Sequence, residues 1–155
     1  MEFIYNSPVG KLNIFYDETH VTGLYFERER QEEYAPNAII SQCVKELDEY
    51  FAGTRLAFDV PTRSAGTMFQ KTVWDALTTI AYGQTVSYGH IAAQIGKPKA
   101  GRAVGGANNK NPISIIVPCH RVVGSTGKMV GYGGELWRKE WLLSHEKQSQ
   151  ITNKA

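Results

Sequence analysis

The sequence predicts a small α/β domain at the N-terminus, packed on a mainly helical C-terminal domain with a helix-turn-helix. Apolar residues alternate in short runs up to Phe26, which is typical of strands, whereas beyond Gly66 they recur with helical spacing. Residues 61–66 are rich in turn-forming residues and separate the two patterns. We therefore expect domains at residues 1–62 and 63–147, and the 155 residues suffice for two small cores that share an interface.

Three apolar segments near the N-terminus predict an antiparallel meander followed by one helix. Residues 3–5 come first, residues 12–16 place apolar side chains at every second position, and residues 21–26 follow an Asp-Glu-Thr-His turn. The helix after them should end at Gly53, and residues 56–60 could return as a strand. The apolar face of this helix is formed by Ile39, Cys43, Leu47, Tyr50 and Phe51.

The C-terminal domain begins with a helix and ends with one. Thr67 and Gln70 have the spacing of a capping box, and apolar residues recur with a helical period from there to about Tyr82. An amphipathic helix is predicted over residues 136–146, and residues 148–155 form a tail that we expect to fray.

Two short helices between these predict the helix-turn-helix. Ser87 is a suitable N-cap for a helix over residues 88–95, which Gly96 would end. Pro98 is expected to start the second helix, which would run to about Asn108. This spacing, with glycine in the turn, is typical of a helix-turn-helix.

The second of these helices has few side chains with which to read bases. It is made mostly of small residues, namely Ala100, Gly101, Ala103, Gly105, Gly106 and Ala107, and Arg102 is the one long side chain at its centre. Small residues allow close packing on another helix, with Arg102 simply solvated. They equally suit sequence-indifferent docking in the minor groove of duplex DNA, where Arg102 could replace a displaced base. We favour the second interpretation.

The charge distribution favours a partner that carries phosphates. No acidic residue lies between Asp75 and Glu135, although the net charge of the whole chain is only +2. The basic residues in this interval are Lys97, Lys99, Arg102, Lys110, Arg121 and Lys128. Chance clustering on a solvated surface is the alternative to a phosphate-facing surface.

The strongest candidate for chemistry is the Pro-Cys-His-Arg-Val sequence at residues 118–122. Residues 113–117 are apolar and β-branched except for Ser114, and they predict a short buried strand, which Pro118 would stop. Cys119 would then lie at the edge of the core, where the neighbouring His120 could help keep it as a thiolate. A buried, inert cysteine beside a histidine is the default for such a pair. The acidic residues downstream that could orient the imidazole are Glu135, Glu140 and Glu146.

Only two cysteines occur, which is too few for a disulfide scaffold. Cys43 lies on an apolar helix face, so we interpret it as a packing residue. No apolar run is long enough to span a bilayer, and the first residues lack the pattern of a secretory signal. We therefore expect a cytoplasmic protein with no membrane contact, in a compartment that keeps Cys119 reduced.

Several motifs together resemble those of the O6-alkylguanine-DNA alkyltransferases, over roughly residues 64–147. They are Val-Ser-Tyr-Gly at 86–89, Arg-Ala-Val-Gly-Gly-Ala-Asn at 102–108, Asn-Pro at 111–112, Pro-Cys-His-Arg-Val at 118–122 and Glu-Trp-Leu-Leu-Ser-His-Glu at 140–146. Their combination in this order is far more specific than any single motif. Over residues 1–60 the resemblance depends on the turn at residues 7–12 and on overall layout, and it implies a ribonuclease-H-like fold.

The resemblance implies a role for each matching residue of the active site. Cys119 matches the alkyl acceptor, His120 the base that reaches the sulfur through a water, and Glu146 the carboxylate that orients His120. Asn111 matches the residue that helps to hold the cysteine. Tyr88 matches the hydroxyl that donates to the guanine ring.

The resemblance also implies contacts with DNA and with an extruded base. Arg102 matches the arginine that fills the gap left by the flipped nucleotide. The other expected DNA-binding residues are Lys99, Gly101, Ala103 and Arg121, and the expected base pocket consists of Tyr132, Gly133 and Val122. Gly133 departs from many members, which carry a larger residue there, so the tolerance for bulky alkyl groups could differ.

By resemblance, the protein is expected to repair double-stranded DNA by a single-turnover transfer of the alkyl group from O6-alkylguanine, and more weakly from O4-alkylthymine, to Cys119. We expect a monomer without cofactors, and no zinc, because His20 and Cys43 are isolated in the sequence. Two other functions stay open. They are a DNA-binding regulator without chemistry and a Cys-His-Glu hydrolase or acyl transferase.

Overall fold

Three antiparallel strands and one helix form the first half of the chain. The computed structural model describes residues 1–29, 33–127 and 135–154. The strands are β1 (Glu2–Ser7), β2 (Gly10–Tyr16) and β3 (Val21–Phe26), in the order β1-β2-β3, and the helix is α1 (Ala38–Phe51). These elements confirm the predicted meander and helix.

Helix α1 has a capping side chain at its start and ends just before Gly53, as the sequence predicted for its end. The side chain of Asn37 caps its start by accepting a hydrogen bond from the amide of Ile40 at 2.9 Å. Gly53 follows its end with φ +80°, a left-handed conformation that glycine adopts without steric cost. Its buried face includes Cys43, which is fully buried.

Residues 56–60 do not form the strand that their sequence suggested. They are irregular, and the carboxylate of Glu46 on α1 accepts the amide hydrogen bonds of Asp59 at 2.9 Å and Val60 at 3.0 Å. A buried side chain therefore satisfies backbone donors that a sheet would otherwise need to satisfy.

The second half is mainly helical. Its helices are α2 (Met68–Leu77), α3 (Tyr88–Gln94), α4 (Gly101–Asn109) and α5 (Leu136–Lys154), and a parallel pair of short strands joins β4 (Val86–Ser87) to β5 (Val122–Val123). Both hydrogen bonds of the predicted Thr67–Gln70 capping box are present. Helix α5 does not end near residue 146 as predicted but continues to Lys154, through residues that were expected to form a frayed tail. Helix α2, by contrast, is shorter than predicted. The hydroxyl groups of Thr78 and Thr79 donate to backbone carbonyls at its end, and the chain continues in turns.

Helices α3 and α4 form the predicted helix-turn-helix. Ser87 caps α3 by accepting a hydrogen bond from the amide of His90 at 3.0 Å, and Gly96 has φ +78°. Helix α4 begins at Gly101 rather than at Pro98, because a turn closed by the hydrogen bond from the Ala100 amide to the Lys97 carbonyl comes first. The start predicted at Pro98 was therefore wrong by three residues.

The two halves are joined by backbone and side-chain hydrogen bonds. Leu24 on β3 donates its amide to the carbonyl of Pro112 and accepts from the amide of Ser114, so the loop before Cys119 is fixed to the sheet edge. Arg138 on α5 donates from Nε to the carbonyl of Val9 at 2.7 Å. Within the described ranges, no helix has the length and apolar character needed to cross a membrane.

Candidate active site

The segment before Cys119 is a buried turn, not the predicted strand. Only Ile113 forms a bridge to the sheet, at Leu24, and the backbone turns at Ile115, which has φ +72°. That conformation is costly for a β-branched residue, so the surrounding structure must hold it in place. Residues 113, 115 and 117 are buried, whereas residues 114 and 116 are half-buried. Burial therefore alternates along this turn as it would along a strand.

Asn111 closes this turn. Its side-chain Nδ2 donates to the carbonyl of Val117 at 2.8 Å, and its Oδ1 accepts from the amide of Ile113 at 3.0 Å. The side chain also hydrogen-bonds with the thiol of Cys119. One buried amide therefore connects both ends of the turn to the candidate nucleophile.

Cys119 begins a single turn of 3₁₀-helix, Cys119–Arg121. This turn removes the extended geometry that would send neighbouring side chains to opposite faces. The carbonyl of Cys119 accepts a hydrogen bond from Nδ2 of Asn108 on α4 at 3.3 Å. The second helix of the helix-turn-helix therefore touches the backbone of the cysteine directly.

The thiol of Cys119 lies inside the protein, with 3% of the residue exposed. Burial raises the pKa of this thiol, while hydrogen bonds with Asn111 and Ser114 and the positive charge of Lys139 offset part of the rise. The free protein therefore favours the neutral thiol, contrary to the expectation that His120 keeps a thiolate. Deprotonation has to accompany any reaction of the sulfur.

His120 and Glu146 form a fully buried pair, with His120 Nε2 at 2.6 Å from Glu146 Oε2. Burial alone would raise the pKa of Glu146, but the proximity of His120 and Arg121 outweighs it and holds the pKa well below the ordinary range. An ionised carboxylate only accepts hydrogen bonds, so Nε2 must carry the ring proton. The other nitrogen, Nδ1, is buried and has no hydrogen-bond partner within the part of the chain that the structure describes.

The structure places Arg121 inside the protein, where the predicted contact with DNA is not possible. Its Nε donates to Glu146 Oε1 at 2.8 Å, and its Nη1 donates to the carbonyl of Ile80 at 2.7 Å. The assignment of Arg121 to DNA binding is therefore corrected. Its guanidinium instead neutralises the carboxylate that orients His120.

The remaining residues predicted for DNA lie on or beside α4. Arg102 and Ala103 are exposed on this helix, Lys99 is exposed in the turn before it, and Gly101 is half-buried at its first position. The exposure of Lys99, Arg102 and Ala103 is compatible with contact to DNA, and the role of these residues stays a prediction.

Of the residues predicted to contact the base, two are described. Tyr88 is half-buried beside Gly105 of α4, where an added Cβ would come within 3.9 Å of the tyrosine ring. Burial raises the pKa of Tyr88, and a thiolate at Cys119 would raise it further, so the tyrosine hydroxyl stays a donor near the sulfur. Val122 is fully buried on β5. Tyr132 and Gly133 lie outside the described residues.

Two side chains at the site escaped the sequence reasoning. Lys139 is fully buried and donates from Nζ to the carbonyl of Val122 at 2.6 Å, and burial lowers its pKa. Its position seven residues before Glu146 places both on one helix face, a signal that was available. Tyr50 donates its hydroxyl to Glu146 at 2.7 Å, and nothing in the sequence links residues so far apart.

Potential metal ligands do not cluster in the described part of the chain. Across residues 1–29, 33–127 and 135–154, no group of three or more His, Cys, Asp or Glu side chains is arranged to hold a metal ion.

Comparison with known proteins shows similarity along nearly the whole chain. Residues 2–64 match the family described as 6-O-methylguanine DNA methyltransferase, ribonuclease-like domain, and residues 68–148 match the family described as 6-O-methylguanine DNA methyltransferase, DNA binding domain. The chain is 46% identical to the methylated-DNA–protein-cysteine methyltransferase of Mycobacterium leprae, covering 96% of this chain and 93% of the relative. The relative of the same name from Methanosarcina acetivorans is 45% identical, covering 92% of this chain and 96% of that one.

A solved structure has a similar fold. The crystal structure of Mycobacterium tuberculosis OGT in complex with DNA superposes with a TM-score of 0.87 at 47% identity. The match covers 94% of this chain and 92% of that one.

Proposed function

The chain belongs to the 6-O-methylguanine DNA methyltransferase family, and from this premise we propose that Cys119 accepts the alkyl group of O6-alkylguanine in duplex DNA. The activity that follows from the family is DNA repair by transfer of a methyl group from DNA to a cysteine of the protein itself. Cys119 is the proposed acceptor, guanine O6 is the proposed substrate atom, and the groups around the sulfur have the roles given below.

The observation that carries the proposal is the buried set formed by Cys119, His120 and Glu146. Since Glu146 holds the proton of Nε2, the basic nitrogen of a neutral His120 is Nδ1, the atom left without a partner among described residues. A base with a free lone pair on a residue next to a neutral thiol is the arrangement that proton removal requires. A water between Nδ1 and the sulfur would complete the path.

The proposed reaction is an in-line displacement at the alkyl carbon. The thiol proton passes to His120 Nδ1, the sulfur forms a bond to the alkyl carbon, and the bond from that carbon to guanine O6 breaks. The electron pair stays with the guanine, which gains a proton at its ring nitrogen by way of the Tyr88 hydroxyl. The proton held by His120 replaces the one that Tyr88 gives, so the products are a thioether and unmodified guanine.

The surroundings of the sulfur favour its transient negative charge. Hydrogen bonds with Asn111 and Ser114 and the ammonium of Lys139 each lower the pKa of Cys119, although burial prevails in the free protein. These groups are already in place before substrate arrives, so they stabilise the charge as it develops without further rearrangement. Closure of the site by a bound base would strengthen them by excluding water.

The burial of the Cys119 sulfur supports extrusion of the alkylated base from the duplex. A base inside a duplex cannot reach an atom that lies within the protein, so the alkylated nucleotide has to leave the stack. The exposed face of α4, with Arg102 and Ala103, is narrow enough to enter the minor groove, and Arg102 could occupy the space of the extruded base. Asn108 connects the same helix to the cysteine backbone.

The transfer is proposed to occur once per molecule. A thioether on Cys119 is chemically stable, and among the residues that the structure describes no group around the sulfur offers a route to remove the alkyl carbon. We also propose that the protein reacts more weakly with O4-alkylthymine. It is proposed to be a monomer and to work in the cytoplasm. A reducing compartment would keep Cys119 as the free thiol that the structure contains.

Intact mass measurement tests the proposal. The protein is incubated with excess duplex oligonucleotide containing O6-methylguanine, and we expect the mass to rise by a single methylene in every molecule and then stop. The Cys119→Ser variant should gain nothing, and Cys43→Ser, the matched control, should gain one methylene. Unchanged wild-type mass despite tight DNA binding would instead favour a regulator, and turnover of an ester would favour a hydrolase.

A further inference from the structure

A tyrosine of the first domain reaches the carboxylate of the candidate active site. The hydroxyl of Tyr50 on α1 donates to Glu146 Oε2 at 2.7 Å, and His120 Nε2 donates to the same oxygen at 2.6 Å. We infer that Tyr50 is a positioning residue for alkyl transfer, which fixes Glu146 and limits how strongly this carboxylate holds the ring proton of His120. The inference rests on the function proposed above.

The contact is well shielded. Tyr50 is 1% exposed, so no solvent competes for its hydroxyl, and burial together with the charge of Glu146 raises the pKa of Tyr50 well above its ordinary value. The hydroxyl therefore stays a donor at any working pH. A second contact fixes the same residue, because Nε2 of His145 lies 2.7 Å from the carbonyl of Tyr50.

The carboxylate of Glu146 is crowded with donors. Its Oε2 takes hydrogen bonds from Tyr50, His120 and, at 3.1 Å, Nη2 of Arg121. Its Oε1 takes them from Nε of Arg121 and, at 3.3 Å, from the amide of Gly83. A carboxylate offers about four acceptor directions, so the donors share a limited capacity and each weakens the others.

Other charged or titratable groups face this cluster from several elements. Tyr82 approaches Arg121 and Glu146 from the turn after α2, and its ring centre is 5.6 Å from the Arg121 guanidinium carbon. From α5 come His145, beside Tyr50, and Lys139, near Cys119. Among these groups Tyr50 is the one that lies in the first domain and bonds to the same oxygen as His120.

Because Tyr50 and His120 donate to the same oxygen of Glu146, loss of the Tyr50 hydroxyl should change the pH dependence of alkyl transfer in a defined direction. A carboxylate that loses a donor is more basic, so it attracts the ring proton of His120 more strongly and favours the doubly protonated imidazole. Only the neutral ring can take the thiol proton. Loss of the Tyr50 hydroxyl should therefore move the acidic limb of the pH–rate profile to higher pH, while a stronger donor at position 50 should move it to lower pH.

The test compares Tyr50→Phe with the wild-type protein in alkylation by free O6-benzylguanine, which needs no DNA. We expect the acidic limb to move to higher pH, the NMR signal of the His120 Nε2 proton to move downfield, and the rate at neutral pH to fall about tenfold. Replacing Tyr50 with 3-fluorotyrosine, a more acidic phenol of nearly the same shape, should move the limb and the proton signal the opposite way.

Tyr16→Phe is the matched control. Tyr16 is equally buried in the same domain, and its hydroxyl donates at 2.7 Å to the carbonyl of Ala35, away from Glu146. This variant should lose stability without moving the pH profile or the His120 signal.

Three results would overturn the inference or separate it from the proposed function. An unchanged pH profile and proton signal in Tyr50→Phe, with wild-type Cys119 still alkylated, would remove Tyr50 from the site. If Tyr50→Phe does not fold, the same readings on the fluorotyrosine protein decide, and no movement overturns the inference. If the wild-type protein is never alkylated, the proposed function fails, and the His120 signal still decides whether Tyr50 acts on the pair.

Discussion

Each half of the molecule contains one buried cysteine, and the two differ in what surrounds the sulfur. Cys43 lies on the apolar face of α1, where burial and the charge of Glu46 raise its pKa to about 12. Cys119 is also buried, but Asn111, Ser114 and Lys139 all oppose the rise of its pKa. Burial alone makes a thiol inert, so reactivity has to come from the polar groups placed around it. Cys119, the proposed acceptor, therefore differs from Cys43 in its polar neighbours and not in its exposure.

Among changes to the surroundings of Cys119, Glu146→Gln is expected to have the largest effect on stability and on alkyl transfer. Arg121 would keep its buried charge without a partner, so we expect the free energy of unfolding to fall by about 3–5 kcal/mol. His120 would face a neutral amide in place of the carboxylate that orients its ring, so alkyl transfer should be almost lost in any fraction that stays folded. Urea unfolding and intact mass measure the two effects. Glu140→Gln, an exposed change on the same helix, is the control and should alter neither.

The same variant has a pH dependence with a defined sign. Because folding lowers the pKa of Glu146, its contribution to stability is present above the ordinary Glu range, about 4.3, and is lost as pH falls toward the folded pKa. The stability difference between wild type and Glu146→Gln should therefore shrink below about pH 4. A difference that is constant with pH would show that the carboxylate is not held ionised by its neighbours.

Arg102→Ala tests the exposed face of α4, which we propose carries DNA to Cys119. If Arg102 takes the place of the extruded base, its loss should slow repair of duplex DNA about tenfold while sparing reaction with free O6-benzylguanine. Lys110→Ala removes an exposed charge just beyond the end of α4 and should weaken DNA repair less. Equal losses of Arg102→Ala in both assays would refute the base-replacement role.

Lys139→Met would make the environment of Cys119 more like that of Cys43. Without the nearby ammonium, the pKa of Cys119 should rise further, and alkylation by iodoacetamide at neutral pH should slow several-fold. Reaction rates measured over a range of pH give the shift directly. Lys147→Met, an exposed change on the same helix, provides the comparison. No change relative to that control would mean that Lys139 acts only in packing.

The smallest functional effect is expected at Cys43. Cys43→Ala removes a buried side chain, so the free energy of unfolding should fall by about 1–2 kcal/mol, with alkyl transfer unchanged. Thermal or urea unfolding and intact mass check both parts. A loss of transfer beyond the loss of folded protein would contradict the interpretation of Cys43 as a packing residue.

Local patterns in the sequence predicted much of the fold. The caps at Thr67 and Ser87 are correct because they depend on residues three positions away along the chain. The strand predicted at residues 113–117 was wrong because a turn held by Asn111 buries alternate residues just as a strand does.

The site was predicted in part, and its errors have a common cause. Cys119, His120 and Glu146 were named from motifs, and the structure brings His120 and Glu146 to within 2.6 Å. Arg121 was assigned to DNA because a basic residue in a basic segment gives no sign of a carboxylate on a distant helix. Tyr50 was placed on an apolar helix face, and its ring is indeed buried. That pattern did not predict the hydrogen bond from its hydroxyl to Glu146. Both pairings join residues far apart in the sequence, and such pairings depend on tertiary packing that local patterns do not contain.

Peptide mapping by mass spectrometry tests most directly whether surroundings decide which cysteine reacts. The protein is digested after incubation with duplex DNA containing O6-methylguanine, and the peptides with Cys43 and Cys119 are compared. We predict one methyl group on Cys119 and none on Cys43. A methyl group on Cys43, or on neither cysteine while the lesion disappears, would contradict this.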